Sequence, residues 1–359
     1  MSPRVDPPGR TPESGWRRAA LAPLVPIAAL YGSAAWLNRV AYTRGGLRRA
    51  RLPCPVIAVG SLMVGGTGKT PLVAWLAAAL RDRGHRVAVL SRGYARRSRA
   101  RHVVSDGERV LVSVAEAGDE PLWLAGKLPG IPVIVAANRA KAGREAIASF
   151  GADMLLLDDG LQHHRLRHDL GIATFDATVG LGNGWVLPRG PLREPARALR
   201  YADAAVLWRG PEGGAEPDRP ALAPGLRSWS ASRRVTGVRA LGDPTAHPSR
   251  VLEGAAVGVI SGLANPASLR ASVARVGARV VAERQFPDHH AYRPSDLRGL
   301  SDSARIWVTS EKDALKIEQG WLGGVDLRVL VEEVEVEGAE AFLDWIQGEL
   351  RRRRAAGAP

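Results

Sequence analysis

The sequence predicts an α/β protein built on a mostly parallel sheet, with a smaller second α/β domain and an N-terminal membrane-associated helix. Three observations predict it. A short apolar run, Val56-Ile57-Ala58-Val59, leads into a glycine loop, Met63-Val64-Gly65-Gly66-Thr67-Gly68-Lys69-Thr70, and then into a helix start at Pro71-Leu72-Val73-Ala74-Trp75-Leu76. Short apolar segments then alternate with helical ones, as a buried parallel sheet requires. A break rich in proline and glycine at Gly210–Gly225 separates this series from a second, shorter one.

Strand, glycine loop, Gly-Lys-Thr and helix is the order of a phosphate-binding loop, so the first domain is of the P-loop NTPase type. Glycines let backbone N–H groups wrap a polyphosphate, and the helix N-terminus adds positive potential. Met63 through Thr70 are the expected ATP-binding residues, with Lys69 reaching the β/γ phosphates and the Thr70 hydroxyl on Mg²⁺. The strict pattern wants glycine at Met63; three loop glycines remain.

The remaining elements follow in order. Strands are expected at Val56–Val59, Arg86–Leu90, Pro132–Ala136 and Met154–Leu157, and helices at Leu72–Arg81, Glu120–Ala125 and Ala140–Phe150. After the break, strands are expected at Ala256–Ile260, Arg279–Val281 and Ile306–Val308. Helices are expected at Pro266–Val276, Pro294–Leu300 and Ala339–Leu350. The tail Arg351–Arg354 reads as frayed and solvated. The expected organisation is an N-terminal segment 1–52, a P-loop domain 53–209, a linker 210–250, a C-terminal domain 251–350 and a basic tail 351–359.

Composition narrows the classes. At 359 residues and 45% hydrophobic content the chain can fill two cores. With Cys54 as its single cysteine, it has no internal disulfide and no cysteine zinc site. The net charge of +14 asks for an anionic partner. Only five of the 50 basic residues are lysine: Lys69, Lys127, Lys141, Lys312 and Lys316. That scarcity looks like codon bias, and it marks each retained lysine as a place where an ammonium is wanted.

Residues 1–52 hold nine arginines against Asp6 and Glu13, a balance of +7. Between them runs an uncharged stretch, Ala19 to Asn38. Its length reaches the ~20 residues of a membrane span, but Pro23, Pro26 and Gly32 disfavour one. An interfacial helix with flanking arginines for anionic headgroups fits better. An ordinary buried helix is the plain alternative.

Several segments could carry chemistry. Met154-Leu155-Leu156-Leu157-Asp158-Asp159 is an apolar strand ending in two carboxylates, the expected Mg²⁺ ligands together with Thr70. Asp158, which ends the apolar run, is the better candidate. On spacing alone, Asp119 in Gly118-Asp119-Glu120-Pro121 reads as a helix cap. Phe286-Pro287-Asp288-His289-His290 admits a zinc site or a base dyad, and spacing does not separate them. Gly180–Trp185 and Leu187–Pro195 form a long ordered loop whose arginines suit anions.

These segments resemble one family, the tetraacyldisaccharide 4′-kinases of lipid A synthesis. The matching stretches are Val64–Pro71, Ser91-Arg92-Gly93-Tyr94, Gly118–Pro121, Asp158-Asp159-Gly160-Leu161-Gln162-His163, Gly182-Asn183-Gly184, Gly190–Pro195, Phe286–His290 and Thr309–Ala314. Their order makes the set specific. Met63, Ala95 and Arg189 depart from the usual family residues.

The resemblance implies two α/β domains. It implies phosphate transfer from ATP, with Mg²⁺, to the 4′-hydroxyl of an acylated glucosamine disaccharide 1-phosphate. It implies peripheral attachment to the cytoplasmic face of the bacterial inner membrane, an anionic surface. In it, Asp119 paired with His289 activates the acceptor hydroxyl, and Tyr94, Asn183 and Arg193 are substrate-binding candidates. No nucleic-acid partner is expected. The competing functions are a phosphate-loop GTPase or ATPase serving metal insertion or targeting, and a nucleotide-gated membrane adaptor.

Overall fold

The computed structural model describes residues 15–94, 96, 100–210 and 225–357. Residues 1–14, Ala95 and residues 211–224 of the expected linker lie outside the described residues.

The elements in chain order begin with α1 (Gly15–Ala20) and α2 (Val25–Thr43), followed by β1 (Val56–Gly60), α3 (Lys69–Asp82), β2 (Val87–Ser91) and β3 (His102–Ser105). Next come α4 (Val114–Ala117), α5 (Asp119–Lys127), β4 (Val133–Val135), α6 (Arg139–Phe150), β5 (Met154–Asp158), β6 (Leu170–Asp176) and β7 (Ala204–Trp208). The series closes with β8 (Arg227–Ala240), β9 (Ala256–Ser261), α7 (Pro266–Arg275), β10 (Arg279–Gln285), β11 (Ile306–Ser310), α8 (Glu311–Ala314), β12 (Asp326–Val336) and α9 (Ala339–Ala355).

The chain forms two compact units. The first comprises residues 1–92, 136–231 and 336–359; the second comprises 93–135 and 232–335. The units are therefore interleaved along the chain, where the sequence suggested one block after another. β8 runs out of the first unit and β12 returns to it.

In the first unit β1 is central, parallel to β5 on one side and to β6 on the other. β2 adds beside β5, β7 beside β6, and the start of β8 beside β7, all parallel. β1, β2 and β5 are buried along their whole length, which is why they read as unbroken apolar runs. The register Val59↔Asp158 puts the acidic end of β5 beside the start of the glycine loop. α3 buries Leu72, Leu76 and Leu80, one stripe at helical spacing. Phe342 of α9 stacks on Trp75 and packs against Trp229.

In the second unit β9 lies between β10 and β11, and β11 pairs with β12, all parallel. β3 and β4 form a short antiparallel pair. Trp307 is the largest buried side chain, packed with Ile260, Leu300, Leu327 and Val329.

Some expectations are corrected. The stretch expected as a linker carries the 14-residue strand β8, whose scattered arginines hid its alternation. The helix expected over Pro294–Leu300 is a short 3-10 turn, Pro294–Leu297. The Asp296 carbonyl, which Leu300 N–H would need in an α-helix, accepts from Arg284 Nη1 instead, and Leu300 N–H turns to Leu297 O. The tail Arg351–Arg354 is helical, not frayed. Arg353 is tied to Asp203, Glu349 and Asp169 O.

The N-terminal run folds as α1, a 3-10 turn containing Pro23, and α2 with Pro26 in its first turn. Among the described residues no helix is long and apolar enough to cross a membrane. α2 buries Ala28, Gly32 and Arg39, while Leu30 is 74% and Leu37 65% exposed. Arg39 is not a headgroup arginine. It is buried against Glu194, with Nε 3.0 Å from Oε1 and Nη2 2.5 Å from Oε2.

Candidate active site

The first unit carries the glycine loop. Gly68 has φ +73°, and a Cβ there would lie 2.2 Å from the Trp208 ring, so both conformation and space demand glycine. Thr67 and Thr70 are buried, and Leu72 N–H already bonds to Gly68 O as α3 begins. Lys69 Nζ donates to Gly65 O at 3.3 Å and lies 3.9 Å from Asp159 Oδ1. Met63 joins the loop through its backbone. It forms a bridge with Leu192, and Val64 N–H donates to Pro191 O. The long loop expected around residues 180–195 is thereby pinned to the phosphate loop. Its Asn183 amide donates to Arg189 O and accepts from Trp185 N–H, contacts that shape the loop itself.

The two acidic residues differ. Asp158 is 1% exposed and accepts from the Thr70 hydroxyl at 3.3 Å and the Ser91 hydroxyl at 3.1 Å. Asp159 accepts from Arg193 Nη1 at 2.6 Å through Oδ2, while its buried Oδ1 accepts no hydrogen bond. Thr70, Asp158 and the orphaned Asp159 oxygen make a hard, all-oxygen donor set with two carboxylates. That suits Mg²⁺, which takes one or two carboxylates and fills its other positions with water and phosphate oxygens.

The second unit carries the other candidates. Gly118, at φ +87°, is the cap position of α5, and Asp119 is its first helical residue. The cap reading of Asp119 is corrected accordingly. Its carboxylate is buried and turned to His289, whose Nδ1 lies 2.9 Å from both oxygens. Lys316 Nζ is 3.6 Å and Lys312 Nζ 3.9 Å from Asp119 Oδ2. Burial alone would raise the Asp119 pKa. The His289 hydrogen bond and the two ammoniums outweigh it and bring the pKa down to about 2. The same hydrogen bond raises the His289 pKa, against its partial burial and the nearby Lys312 charge. The Tyr94 ring lies 5.2 Å from the imidazole.

The two adjacent histidines part company. His290 Nε2 is 2.9 Å from Asp296 Oδ2, and its ring stacks on Phe286. Among the described residues no three His, Cys, Asp or Glu side chains cluster as metal ligands, so the zinc reading is not supported. Backbone strain marks two of the candidates. Asp159 at φ +52° and His289 at φ +61° are the two non-glycine residues with positive φ among the described residues, a conformation that costs on the order of 1–3 kcal/mol and gathers at working sites.

The structure thus joins Lys69, Thr70, Asp158, Asp159 and Arg193 in one unit, and Tyr94, Asp119 and His289 in the other. Sequence reasoning gave no role to Ser91, Glu120, Lys312 or Lys316. Lysine scarcity flagged the last two but could not say what they face.

A family model described as tetraacyldisaccharide-1-P 4′-kinase, LpxK, matches residues 20–351. The chain is 40% identical over 334 residues to the tetraacyldisaccharide 4′-kinase of Anaeromyxobacter dehalogenans strain 2CP-C, covering 88% of this chain and 86% of that one. It is 42% identical over 294 residues to that of Geobacter sulfurreducens, covering 81% and 82%. The crystal structure of the "apo" form of LpxK from Aquifex aeolicus in complex with ATP superposes with a TM-score of 0.76 at 32% identity, over 92% of this chain and 99% of that one. A family match from residue 20 to 351, over a mostly parallel sheet with a formed glycine loop, leaves one assignment: the chain belongs to the tetraacyldisaccharide-1-P 4′-kinase family.

Proposed function

We propose that this chain transfers the γ-phosphate of ATP to the 4′-hydroxyl of a tetraacyl glucosamine disaccharide 1-phosphate, giving the 1,4′-bisphosphate lipid A precursor, lipid IVA. The observation that carries this reading is that a chain of this family forms both a glycine loop and a carboxylate–imidazole pair.

Phosphoryl transfer needs positioning and charge neutralisation more than covalent chemistry from the protein. The acceptor oxygen bonds to the γ-phosphorus, the bond to the bridging β–γ oxygen breaks, and ADP leaves. Within the loop Met63–Thr70 the backbone N–H groups of Gly65, Gly66, Gly68, Lys69 and Thr70 cradle the phosphates, while Met63 and Val64 N–H, bonded to Ser61 Oγ and Pro191 O, fix the loop's start. Lys69 and Arg193 offset their charge, and Arg193 is aimed by Asp159. Thr70, Asp158 and Asp159 would hold Mg²⁺, which would neutralise charge on the β and γ oxygens.

The hydroxyl proton passes to the Asp119–His289 pair. Asp119 is a poor resting place for it, held as a carboxylate near pKa 2, whereas His289 titrates above its ordinary range. The imidazole therefore keeps the proton and Asp119 fixes its tautomer and charge. Tyr94 and Asn183 are proposed to contact the acceptor.

The exposed apolar side chains of α2, Ile27, Leu30 and Leu37, support peripheral attachment to the cytoplasmic face of the inner membrane. Labelled ATP incubated with the lipid disaccharide tests the function. Label must appear in the lipid. Release of free phosphate with no labelled lipid would turn the assignment toward a nucleotide hydrolase.

A further inference from the structure

Three of the five lysines in this arginine-rich chain meet one short segment, Glu311–Lys316. Lys127 Nζ is 2.8 Å from Glu311 Oε1. Lys312 Nζ donates to Glu120 Oε1 at 3.0 Å. Lys316, whose side chain is 7% exposed, lies 3.0 Å from Asp313 Oδ1. Asp313 is fully buried, and its other oxygen accepts from Gly262 N–H at 3.0 Å and from the Ser310 hydroxyl at 2.9 Å. Gly262 O in turn accepts His289 N–H. One segment thus supplies both ammoniums beside Asp119 and, through Asp313, ties down the turn that carries His289.

We propose that Lys312 and Lys316 are positioning residues of the proton-accepting pair, holding Asp119 as a carboxylate turned to His289 and so setting the pH range in which the pair works. This rests on the reading of Asp119 and His289 given under the proposed function.

The chemistry explains why these two positions kept lysine. His289 Nδ1 spans both Asp119 oxygens at 2.9 Å. A guanidinium beside Asp119 would take those oxygens as a fork and displace the imidazole. Two ammoniums at 3.6 and 3.9 Å neutralise the carboxylate and leave its hydrogen bonds to His289. Lys316 Nζ lies 5.5 Å from the Tyr292 ring centroid and 3.0 Å from Asp313 Oδ1, too enclosed to follow a ligand. The groups facing the pair are Lys312, Lys316, Glu120, Asp288 at 3.5 Å from His289 Nε2, and the Tyr94 ring. Removing one ammonium makes this set more negative, so His289 holds its proton to higher pH.

The test is steady-state phosphate transfer to the lipid acceptor as a function of pH, with Lys312→Met, Lys316→Met and the double variant Lys316→Met/Asp313→Asn. Lys312 is 21% exposed and tolerates the change, while the double variant removes both charges of the buried pair together. In the single lysine variants kcat should fall about tenfold or more, KM for ATP should stay within about twofold, and the acid limb of the profile should move up by about one pH unit; the double variant, which loses one charge of each sign, should move the limb less. Lys312→Arg should not restore activity. An unmoved limb in folded Lys312→Met, with kcat near wild type, overturns the proposal. So does a raised KM for ATP or acceptor with the limb unmoved, because that marks a direct phosphate ligand. If wild type itself labels no lipid, the functional reading fails. If wild type labels lipid and the lysine variants keep its pH limb, this inference alone fails.

Discussion

The two units carry candidate residues arranged on opposite principles. The glycine loop of the first unit is one contiguous stretch, and its proposed grip on phosphate is mainly through backbone. Its tightest constraint is spatial: Trp208 leaves no room for a Cβ at Gly68. The second unit assembles Asp119, His289, Lys312 and Lys316 from three distant segments, and everything it does depends on side-chain charge. The first half offers a shape, and the second offers a proton balance. Perturbations should therefore divide between them: charge removed from the loop should cost rate at every pH, whereas charge removed from the cluster should also move the pH profile.

The largest effect is expected at Lys69. Lys69→Ala should lower phosphate transfer by about a thousandfold, since the γ-phosphate loses its nearest cation. Its thermal unfolding should match wild type, because Lys69 makes a long 3.3 Å hydrogen bond to Gly65 O and lies loosely beside Asp159. The residual activity should keep the wild-type pH limb. Turnover near wild type would remove the loop from the mechanism.

Next come the members of the cluster. Asp119→Ala and His289→Ala should each lower kcat by about a hundredfold or more, and the double variant should lose far less than the product. Losses that multiply would show two independent groups. A silent His289→Ala beside a damaged His290→Ala would move the base to the neighbouring ring, although His290 is occupied by Asp296 and Phe286.

That contrast also explains what the sequence disclosed. The glycine loop, the apolar strand ending at Asp158 and the alternation of elements were legible because each is local. Asp119 was not legible as chemistry from its spacing: Gly-Asp-Glu-Pro before a helix fits a cap equally well, and only the resemblance pointed elsewhere. The interleaving of the units was hidden for a related reason. Residues 93–135 join 232–335 through contacts more than a hundred residues away in the chain. The buried pair Arg39–Glu194 was equally hidden, because an arginine in a basic, apolar segment looks like a surface residue. Lys312 and Lys316 left a compositional trace but no partner.

The pH profile sharpens the comparison further. His289 has a raised pKa, so its protonated form persists above the ordinary imidazole range. As the proton acceptor it must be neutral, so kcat/KM should rise with pH through a limb above about 6.5. Asp119→Asn removes the charge and the carboxylate acceptor that raise this pKa. In that variant the limb should move to lower pH while the maximum falls. Were Asp119 itself the titrating base, the wild-type limb would lie near its depressed value, about 2, and no rise would be seen near neutrality.

The smallest expected effect concerns the proposed membrane contact of α2. In α2 the buried side carries Ala28, Gly32 and Arg39, while Leu30 and Leu37 face away from the core. Leu30→Asp/Leu37→Asp should leave unfolding, kcat and the pH limb unchanged, because neither side chain packs in the core. Each loses the burial of a leucine in lipid, worth about 1.5–3 kcal/mol when complete. Binding to anionic vesicles should weaken accordingly, and KM for acceptor presented in vesicles should rise several-fold while KM for ATP stays fixed. Arg39→Met should behave in the opposite way. It leaves the Glu194 carboxylate buried without its guanidinium, which costs about 3–5 kcal/mol of stability, yet it keeps the exposed leucines proposed to meet lipid. High salt should release the wild-type protein from vesicles only in part, since screening removes the arginine contribution and spares the apolar one. Full release by salt, with the leucine variant binding as wild type does, would show a purely electrostatic contact and take α2 out of the membrane.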